Sequence, residues 1–196
     1  MAWVAVQPGE VVGDIACGTG ATLVRLGEAV GETGRAIGLE HSAEMARIAE
    51  GRIRDHGMQD RCKVRLCAVE SYLEAERFDA LLFCFTHDVL QSPEAVRNIC
   101  AHARDGARVV VAGTRFLPWA WGLPLNLFTA IRGRRYLTTY RGLRMPWRHL
   151  LAFCPDFKIL ETDHWGTSYL GAGTIHHPPN FKVQPSHNTQ PAKETT

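Results

Sequence analysis

The sequence predicts a doubly wound α/β fold, in which helices cover both faces of a mostly parallel β-sheet. Its 196 residues suit a single domain, and 45% hydrophobic with 21% charged residues is an ordinary composition for a globular chain. Short apolar runs alternate along the chain with segments whose apolar residues recur at helical spacing. The run FDALLFCF is almost wholly apolar, which is typical of a strand buried on both faces of a parallel sheet.

Five strand candidates follow one another, with helical or short polar connections between them. They are residues 10–16, 35–40, 63–69, 78–85 and 107–116. The first connection is predicted to be a helix because Leu23, Leu26 and Val30 recur at helical spacing. Successive units of this kind predict parallel strands joined by crossovers. Ligands of such sheets bind beyond the carboxyl ends of the strands, so the loops that follow the first four strands should surround one crevice.

Two further helices carry start or stop signals. The segment HSAEMARIAEGRIRDHG should begin its helix after Ser42 as N-cap, with Glu44 in the first turn. The segment SPEAVRNICAHARDG has Ser92 as its N-cap candidate and Pro93 at the first helical position. We expect Gly106 to end that helix.

The pattern changes after the fifth strand. Residues 117–145 are aromatic, rich in glycine and proline, and then basic, which indicates an insertion shaped like a substrate lid. Residues 146–154 resemble another helix. Residues 157–166 and 167–175 resemble two late strands, the last antiparallel, which brings the predicted sheet to seven strands. The predicted domain therefore spans residues 1–175, and the polar, proline-rich residues 176–196 should be disordered.

Several classes of protein are disfavoured by composition. A net charge of +2 is too small for bulk attraction to nucleic acid. No run reaches the length of a membrane span, and the N-terminus lacks the pattern of a secretion signal. The six cysteines form no CxxC pair and the nine histidines show no metal-ligand spacing, so we expect reduced thiols, a cytoplasmic location and no metal.

The stretch VVGDIACGTG at residues 11–20 is a glycine-rich loop after the first strand, and three nucleotide templates compete for it. A phosphate-binding P-loop needs a lysine after its last glycine, where this chain has Ala21. The dinucleotide fingerprint needs a first glycine where Ala16 stands, and a third glycine that is missing. The third template has an acid that ends the first strand and a second acid that ends the second strand. Here Asp14 and Glu40 hold those positions. A carboxylate can accept hydrogen bonds from both hydroxyl groups of a ribose diol.

The loop VVGDIACGTG, followed by GLEHSAEM, resembles the first two motifs of the class I S-adenosylmethionine-dependent methyltransferases, above all the ubiquinone and menaquinone type of small-molecule enzyme. The resemblance covers roughly residues 8–116. It implies a Rossmann-like fold, S-adenosylmethionine as cofactor, and methyl transfer to a small acceptor. The residues that it places against the amino-acid part of the cofactor are Asp14, Ala16, Cys17, Gly18 and Gly20.

The resemblance also assigns the ribose and adenine contacts. Glu40 would bind the ribose hydroxyls, and His41 and Met45 would flank the ribose and adenine, although Met45 suits core packing equally well. Where the family usually has an aspartate for the adenine amine, this chain has Ala68, and adenine recognition would pass to backbone groups or to Glu70. The remaining predicted cofactor contacts are Ala68, Val69, Glu70 and Phe85. Ala16 in place of the usual glycine is tolerable if its φ stays negative.

His87 and Asp88 follow the fourth strand, which places them over the methyl-donor end of the predicted crevice. A histidine there could accept a proton from the acceptor, or it could only line the pocket, since alignment alone can accelerate a direct displacement. Asp88 could equally cap the next turn. Both are retained as catalytic candidates.

The insertion at residues 117–145 can be interpreted in two ways. Its aromatic residues and Leu125 could form a lid over a hydrophobic acceptor or a helical excursion that buries its own side chains. The aromatic residues are Trp119, Trp121, Phe128, Tyr136 and Tyr140. Arg132, Arg134 and Arg135 suit a solvated turn, an anionic head group or a membrane surface. A lipid-like substrate therefore stays open, and so does a homodimer.

The predicted function is S-adenosylmethionine-dependent methylation of a small, hydrophobic or aromatic acceptor at an oxygen, nitrogen or carbon atom. The short stretch before the first strand, together with Ala68, leaves open a catalytically weak cofactor-binding subunit that acts with a partner. An NAD-dependent oxidoreductase is the second alternative. A nucleic-acid methyltransferase is disfavoured because CFTHDV carries no [DN]PP[YF] signature.

Overall fold

A computed structural model describes residues 5–133 and 142–177, and these residues build one seven-stranded sheet. The strand order is β3-β2-β1-β4-β5-β7-β6, and only β7 runs antiparallel to its neighbours. The predicted doubly wound, mostly parallel sheet with a late antiparallel strand is therefore confirmed. The strands are β1 (Val11–Ile15), β2 (Arg35–Glu40), β3 (Cys62–Leu66), β4 (Phe78–Cys84), β5 (Ala103–Thr114), β6 (Lys158–Asp163) and β7 (Ser168–Thr174).

In the part of the chain that the structure describes, five α-helices connect or follow the strands. They are α1 (Ala21–Val30), α2 (Ala43–Asp55), α3 (His87–Gln91), α4 (Pro93–Ala101) and α5 (Trp119–Gly133). Successive side chains of β4 point to opposite faces, as a strand requires, so Leu81 joins one core cluster and Leu82 the other. The cluster with Leu82 includes apolar residues of α1 and α2, and the cluster with Leu81 includes those of α4. Helices thus cover both faces of the sheet.

Both predicted serine caps are confirmed. The Ser42 hydroxyl accepts a hydrogen bond from the backbone N–H of Met45 at 3.4 Å, and α2 begins at the next residue after Ser42. The Ser92 hydroxyl accepts from the backbone N–H of Ala95 at 3.1 Å, and α4 begins at Pro93. These bonds satisfy amide groups that the first helical turn leaves without a partner.

Two helix predictions are wrong, and one short helix was missed. Helix α4 ends at Ala101, and Gly106 lies inside β5, because the chain has already turned back to pair Ala103 with Phe78. The predicted helix at residues 146–154 reduces to one 3₁₀ turn over Leu150–Ala152. Helix α3 was not predicted at all; at 5 residues it is too short to show a helical period.

The direction of strand progression reverses between β1 and β4, which are neighbours in the sheet although β2 and β3 separate them in the chain. The loops after β1, β2, β3 and β4 therefore meet at one edge, which we call the carboxyl edge. Strand β5 also ends at this edge, and so does the β6–β7 connection, because Ser168 at the start of β7 pairs with Thr114. This reversal is where open α/β sheets bind ligands.

Helix α5 fills most of the predicted insertion at residues 117–145 and is anchored to the end of β5 by a pair of hydrogen bonds. The Leu117 N–H donates to the Asn126 side-chain oxygen at 2.7 Å, and the Asn126 amide donates to the Leu117 carbonyl at 2.9 Å. The predicted lid residues Tyr136 and Tyr140 lie outside the described residues, as do Arg134 and Arg135. Within the part of the chain that the structure describes, no helix is long and apolar enough to cross a membrane.

The predicted tail begins inside the described part of the chain. The His176 N–H donates to the Phe153 carbonyl at 2.7 Å, and the His177 N–H donates to an Asp105 carboxylate oxygen at 3.0 Å. Residues 178–196 lie outside the described residues.

Candidate cofactor and acceptor site

Asp14 is a buried carboxyl group near the carboxyl end of β1. Only 1% of the residue is exposed, and one carboxyl oxygen accepts a hydrogen bond from the Thr22 hydroxyl at 2.7 Å. Burial raises its pKa from the ordinary value to about 6, and the Thr22 hydrogen bond opposes that rise. The first turn of α1 is thereby fastened to the strand that precedes it.

Glu40 is the second buried carboxylate, at the end of β2. One oxygen accepts a hydrogen bond from the Gly18 N–H at 3.0 Å, and the other accepts from the Ser42 N–H at 2.8 Å. The exposed His41 ring lies 3.3 Å from the second oxygen. A carboxylate has about four acceptor positions, so the two backbone bonds leave capacity for two further hydroxyl donors.

The glycine loop between β1 and α1 is built on left-handed backbone. Ala16, Gly18 and Gly20 have φ values of 54°, 55° and 72°. The negative φ that would make alanine tolerable at position 16 is therefore not present. The loop must turn so that the Cys17 N–H can donate to the Leu39 carbonyl at 2.9 Å, and that turn forces Ala16 into a conformation that disfavours a Cβ.

The space around the two glycines differs. A Cβ built on Gly18 would meet no atom within 4 Å, whereas a Cβ built on Gly20 would lie 2.9 Å from the Ala49 Cβ. Gly20 is thus required for close packing of the loop on α2. Gly18 instead borders open space beside the Glu40 carboxylate, which is the kind of cradle that a ligand occupies.

Two thiols flank the buried acids. Burial raises the pKa of Cys17 well above its ordinary value, and the charges of Asp14 and Glu40 raise it further. Burial and the Asp14 charge also raise the pKa of Cys84 at the end of β4. Both thiols therefore stay protonated near neutral pH and act as small apolar groups.

The end of β4 carries the predicted acceptor-side residues. Phe85 has a φ of 58° and is 60% exposed. Together with Ala16, it gives the ends of β4 and β1 a strained non-glycine residue each at the sheet reversal. His87 opens α3 and is buried, whereas Asp88 beside it is exposed. The structure thus separates the two predicted catalytic candidates by burial.

The residues of the loop after β3 differ in their exposure to solvent. Ala68 is exposed and Val69 is buried, with the Val69 carbonyl accepting a hydrogen bond from the Asn98 amide at 2.8 Å. The exposed Glu70 carboxylate accepts a hydrogen bond from the Ser92 hydroxyl at 2.8 Å. Across the edge, Met45 is 39% exposed and therefore is not a core residue of α2.

Two hydroxyl side chains of the site were not predicted from the sequence. Thr22 holds Asp14, and its only sequence signal is a hydroxyl in the first turn after a glycine loop. Thr86 lies between Phe85 and His87 with 6% exposure, and within the described residues its hydroxyl has no hydrogen-bond partner. The described residues contain no cluster of three or more His, Cys, Asp or Glu side chains that could hold a metal ion.

These features together define a nucleotide-type cofactor site at the reversal of an open α/β sheet. Two buried carboxylates end adjacent strands, a glycine loop lies between them, and one side of that loop is open. The groups present suit a ligand with a ribose diol and a cationic part.

Comparison with known proteins shows the family of the chain. The methyltransferase domain family matches residues 7–121, more than half of the chain. The chain therefore belongs to this family, and the resemblance to class I S-adenosylmethionine-dependent methyltransferases that the sequence showed is confirmed.

Individual relatives are more distant. Demethylmenaquinone methyltransferase of Alkalihalophilus pseudofirmus is 31% identical over 110 residues, which cover 56% of this chain and 47% of that protein. The chain thus spans about half the length of this relative. An S-adenosylmethionine-dependent O-methyltransferase of Thermotoga maritima has a TM-score of 0.64 at 15% identity, covering 89% of this chain and 62% of that one. Geranyl diphosphate methyltransferase, solved in complex with S-adenosylmethionine, has a TM-score of 0.62 at 16% identity, with coverages of 89% and 83%. At these identities the two structures show a shared fold.

Proposed function

We propose that the protein transfers the methyl group of S-adenosylmethionine to an oxygen, nitrogen or carbon atom of a small, hydrophobic or aromatic acceptor. The observation that carries this proposal is the hydrogen bond between the buried Glu40 carboxylate and the Gly18 N–H at 3.0 Å. It sets a ribose-binding acid beside the open side of a glycine loop, which is the arrangement that an adenosyl ligand needs.

The residues that would hold the cofactor follow from this geometry. Glu40 accepts the ribose hydroxyls with its remaining acceptor positions, and His41 and Met45 border the ribose and adenine. Asp14, through its carboxylate, and the loop from Ala16 to Gly20 face the cationic amino-acid part. Val69 and Phe85 contribute apolar surface, and the exposed Ala68 and Glu70 lie beside them. When bound, S-adenosylmethionine supplies an activated methyl group and leaves as S-adenosylhomocysteine.

The acceptor side is assigned to the start of α3. His87 is buried at the carboxyl end of β4, where an imidazole can accept the proton that an oxygen or nitrogen nucleophile loses. Asp88 is exposed and is the weaker candidate. The exposed ring of Phe85 offers an apolar contact to an aromatic acceptor. Demethylmenaquinone, named in the relative from Alkalihalophilus pseudofirmus, supports a quinone-like member of this acceptor class.

Turnover of a panel of quinols, phenols and small amines, read as S-adenosylhomocysteine formed, tests the proposal. We expect product with at least one aromatic acceptor, and a His87→Asn variant that binds the cofactor normally but turns over about 10²-fold more slowly. Asp60→Asn, an exposed change in the loop before β3, serves as the control. Cofactor binding without turnover of any acceptor would favour the weak or inactive subunit. Tight NAD(H) binding without S-adenosylmethionine binding would overturn the proposal in favour of an oxidoreductase.

The proposal also covers the cellular compartment and the partners of the protein. All six cysteines are free, and four of them are buried, which supports a reducing compartment such as the cytoplasm. We propose a small-molecule acceptor rather than a nucleic acid, and a homodimer is to be tested by sedimentation.

A further inference from the structure

Helix α5 carries an apolar stripe that no other described element covers. Leu123, Leu127 and Ile131 are spaced four residues apart, so they lie on one face of the helix, and they are 54%, 61% and 62% exposed. Next to the stripe, Asn126 anchors the helix inward, since it is 3% exposed and hydrogen-bonded to Leu117. The stripe is therefore an oriented surface of a fixed helix.

The helix that carries the stripe begins at the carboxyl edge, and this edge has a second exposed apolar group. Trp165 in the β6–β7 connection is 84% exposed. That connection is held to the end of β5, because the Arg115 side chain donates to the Gly166 carbonyl at 3.0 Å and the Arg115 N–H donates to the Thr167 carbonyl at 2.7 Å. Helix α5 begins a few residues further along the same strand end. The edge that holds the cofactor site therefore also presents aliphatic and indole groups to solvent.

The charge of the stretch that contains α5 is one-sided, whereas Glu161 and Asp163 stand close to Trp165 in the sequence. Residues 109–155 contain seven arginines and no aspartate, glutamate or lysine, although the whole chain has 22 basic and 20 acidic residues. The rest of the chain is consequently net acidic. Among the described arginines of this segment, Arg144 is exposed, and its neighbour Leu143 accepts a hydrogen bond from the Phe116 N–H at 2.8 Å, which fixes it near the end of β5.

We propose that this face, formed by Leu123, Leu127, Ile131 and Trp165, docks on an anionic lipid bilayer, since α5 belongs to a stretch of sequence that is rich in arginine and free of acidic residues. Aliphatic side chains on one face of a helix enter the boundary between head groups and acyl chains, indole rings prefer the same depth, and arginines attract anionic head groups. A second copy of the chain is disfavoured as the occupant, because a symmetric contact would bring two arginine-rich segments together. A nucleic acid would leave the aliphatic stripe without a partner.

Docking in this orientation brings the carboxyl edge towards the bilayer. An acceptor dissolved in the lipid would then reach the site without crossing water. The binding step itself is independent of the proposed methyl transfer, since it requires neither cofactor nor acceptor.

Sedimentation of the full chain with large vesicles tests the docking. One set contains phosphatidylcholine alone, and the other contains about a third phosphatidylglycerol, which supplies the negative surface. We expect the protein to sediment with the anionic set, to bind the neutral set at least tenfold more weakly, and to be released as salt rises from about 0.1 M to 0.5 M.

A matched pair of leucine variants locates the contact. Leu127→Glu should weaken binding at least tenfold, because an apolar insertion is lost and a negative charge faces the lipid. Leu73→Glu changes a leucine of similar exposure, 58%, outside α5 and should leave binding unchanged. Glutamate suits the helix at position 127, and Leu73 is exposed in an irregular segment, so both variants should keep the far-ultraviolet circular dichroism of the parent.

Three results would overturn the docking. The first is a Leu127→Glu variant that binds the anionic vesicles as tightly as the parent chain. The second is a parent chain that sediments with neither vesicle set. The third is a concentration-dependent dimer that Leu127→Glu abolishes, without any vesicle binding. The last result would assign the face to a second copy, and retention of the chain by duplex nucleic acid but not by vesicles would assign it to that polymer. Cofactor affinity, measured separately, reports on the proposed function and not on the docking.

Discussion

The Glu40 carboxylate accepts a hydrogen bond from the Gly18 N–H at 3.0 Å, so the end of β2 holds the glycine loop that follows β1. The same carboxylate accepts from the Ser42 N–H at 2.8 Å, at the start of α2. One buried acid therefore fixes the two loops that meet at the sheet reversal. A ligand that uses Glu40 would find both loops already in place.

Replacing Glu40 by alanine should remove this link and the proposed ribose acceptor together. Hydrogen bonds to charged groups contribute about 1.5–3 kcal/mol each, so we expect S-adenosylmethionine affinity to fall at least tenfold in calorimetry. Glu50→Ala, which removes an exposed carboxylate from α2, is the control and should bind normally. Full affinity in the Glu40→Ala protein would show that the ribose lies elsewhere.

Asp14 should make the protein less stable as pH rises through the acid range. Its pKa is about 6 in the folded state against 3.8 in the unfolded state, so the folded state holds more protons between these values. The free energy of unfolding therefore falls from about pH 4 to pH 6 and changes no further above that. Two pKa units correspond to roughly 3 kcal/mol, an upper figure for one buried group.

The variant Asp14→Asn isolates this effect, because it cannot ionise and can still accept from Thr22. Urea unfolding should show it more stable than the parent by roughly 1–3 kcal/mol at pH 8, and no more stable at pH 4. Asp60→Asn, at an exposed site, should show no such difference between the two pH values. A pH-independent gain at Asp14 would mean that burial is not what shifts its pKa.

What the sequence could predict was set by local signals. The acids Asp14 and Glu40 stand at strand ends that the apolar periodicity marks, and Ser42 and Ser92 stand three residues before the amides that they cap. The fold class followed from the same alternation of strands and helices.

What the sequence could not predict depends on distant partners. The predicted helix at residues 146–154 is reduced to a single 3₁₀ turn, and the Gln91 amide donates to the Pro146 carbonyl at 3.1 Å from 55 residues away. Glu70, expected near adenine, accepts from Ser92 across 22 residues. The positive φ of Ala16 follows from the contact of Cys17 with β2, which no local pattern reports.

Ala16→Gly should stabilise the fold. A left-handed φ costs a residue with a Cβ about 1–2 kcal/mol, and glycine loses part of that gain to the entropy of the unfolded chain, which leaves about 0.5–1 kcal/mol. Ala29→Gly, within α1, should destabilise by a similar amount because its backbone is helical. In urea unfolding, the two variants should change the free energy of unfolding in opposite directions. A loss of stability in Ala16→Gly would show that the positive φ of Ala16 is not strained.

Gly18→Ala and Gly20→Ala should separate the binding role of the loop from its packing role. Both residues have positive φ, so each substitution costs about 1 kcal/mol of stability from strain. At Gly20 the added Cβ also meets the Ala49 Cβ at 2.9 Å, and a forced shift in a packed core costs a further 1–3 kcal/mol, roughly. Gly20→Ala should therefore be clearly the less stable protein.

The added methyl group of Gly18→Ala enters open space, where we propose that the cofactor lies. We expect a small loss of stability and at least a tenfold loss of S-adenosylmethionine affinity, since one methyl group can displace a closely held ligand by several tenths of an ångström. Gly57→Ala is the matched control, with a φ of 64°, equally open surroundings and a position in the loop between α2 and β3. Gly57→Ala should lose similar stability and keep its affinity for S-adenosylmethionine. If Gly18→Ala behaved in the same way, the cofactor would not bind on this side of the loop.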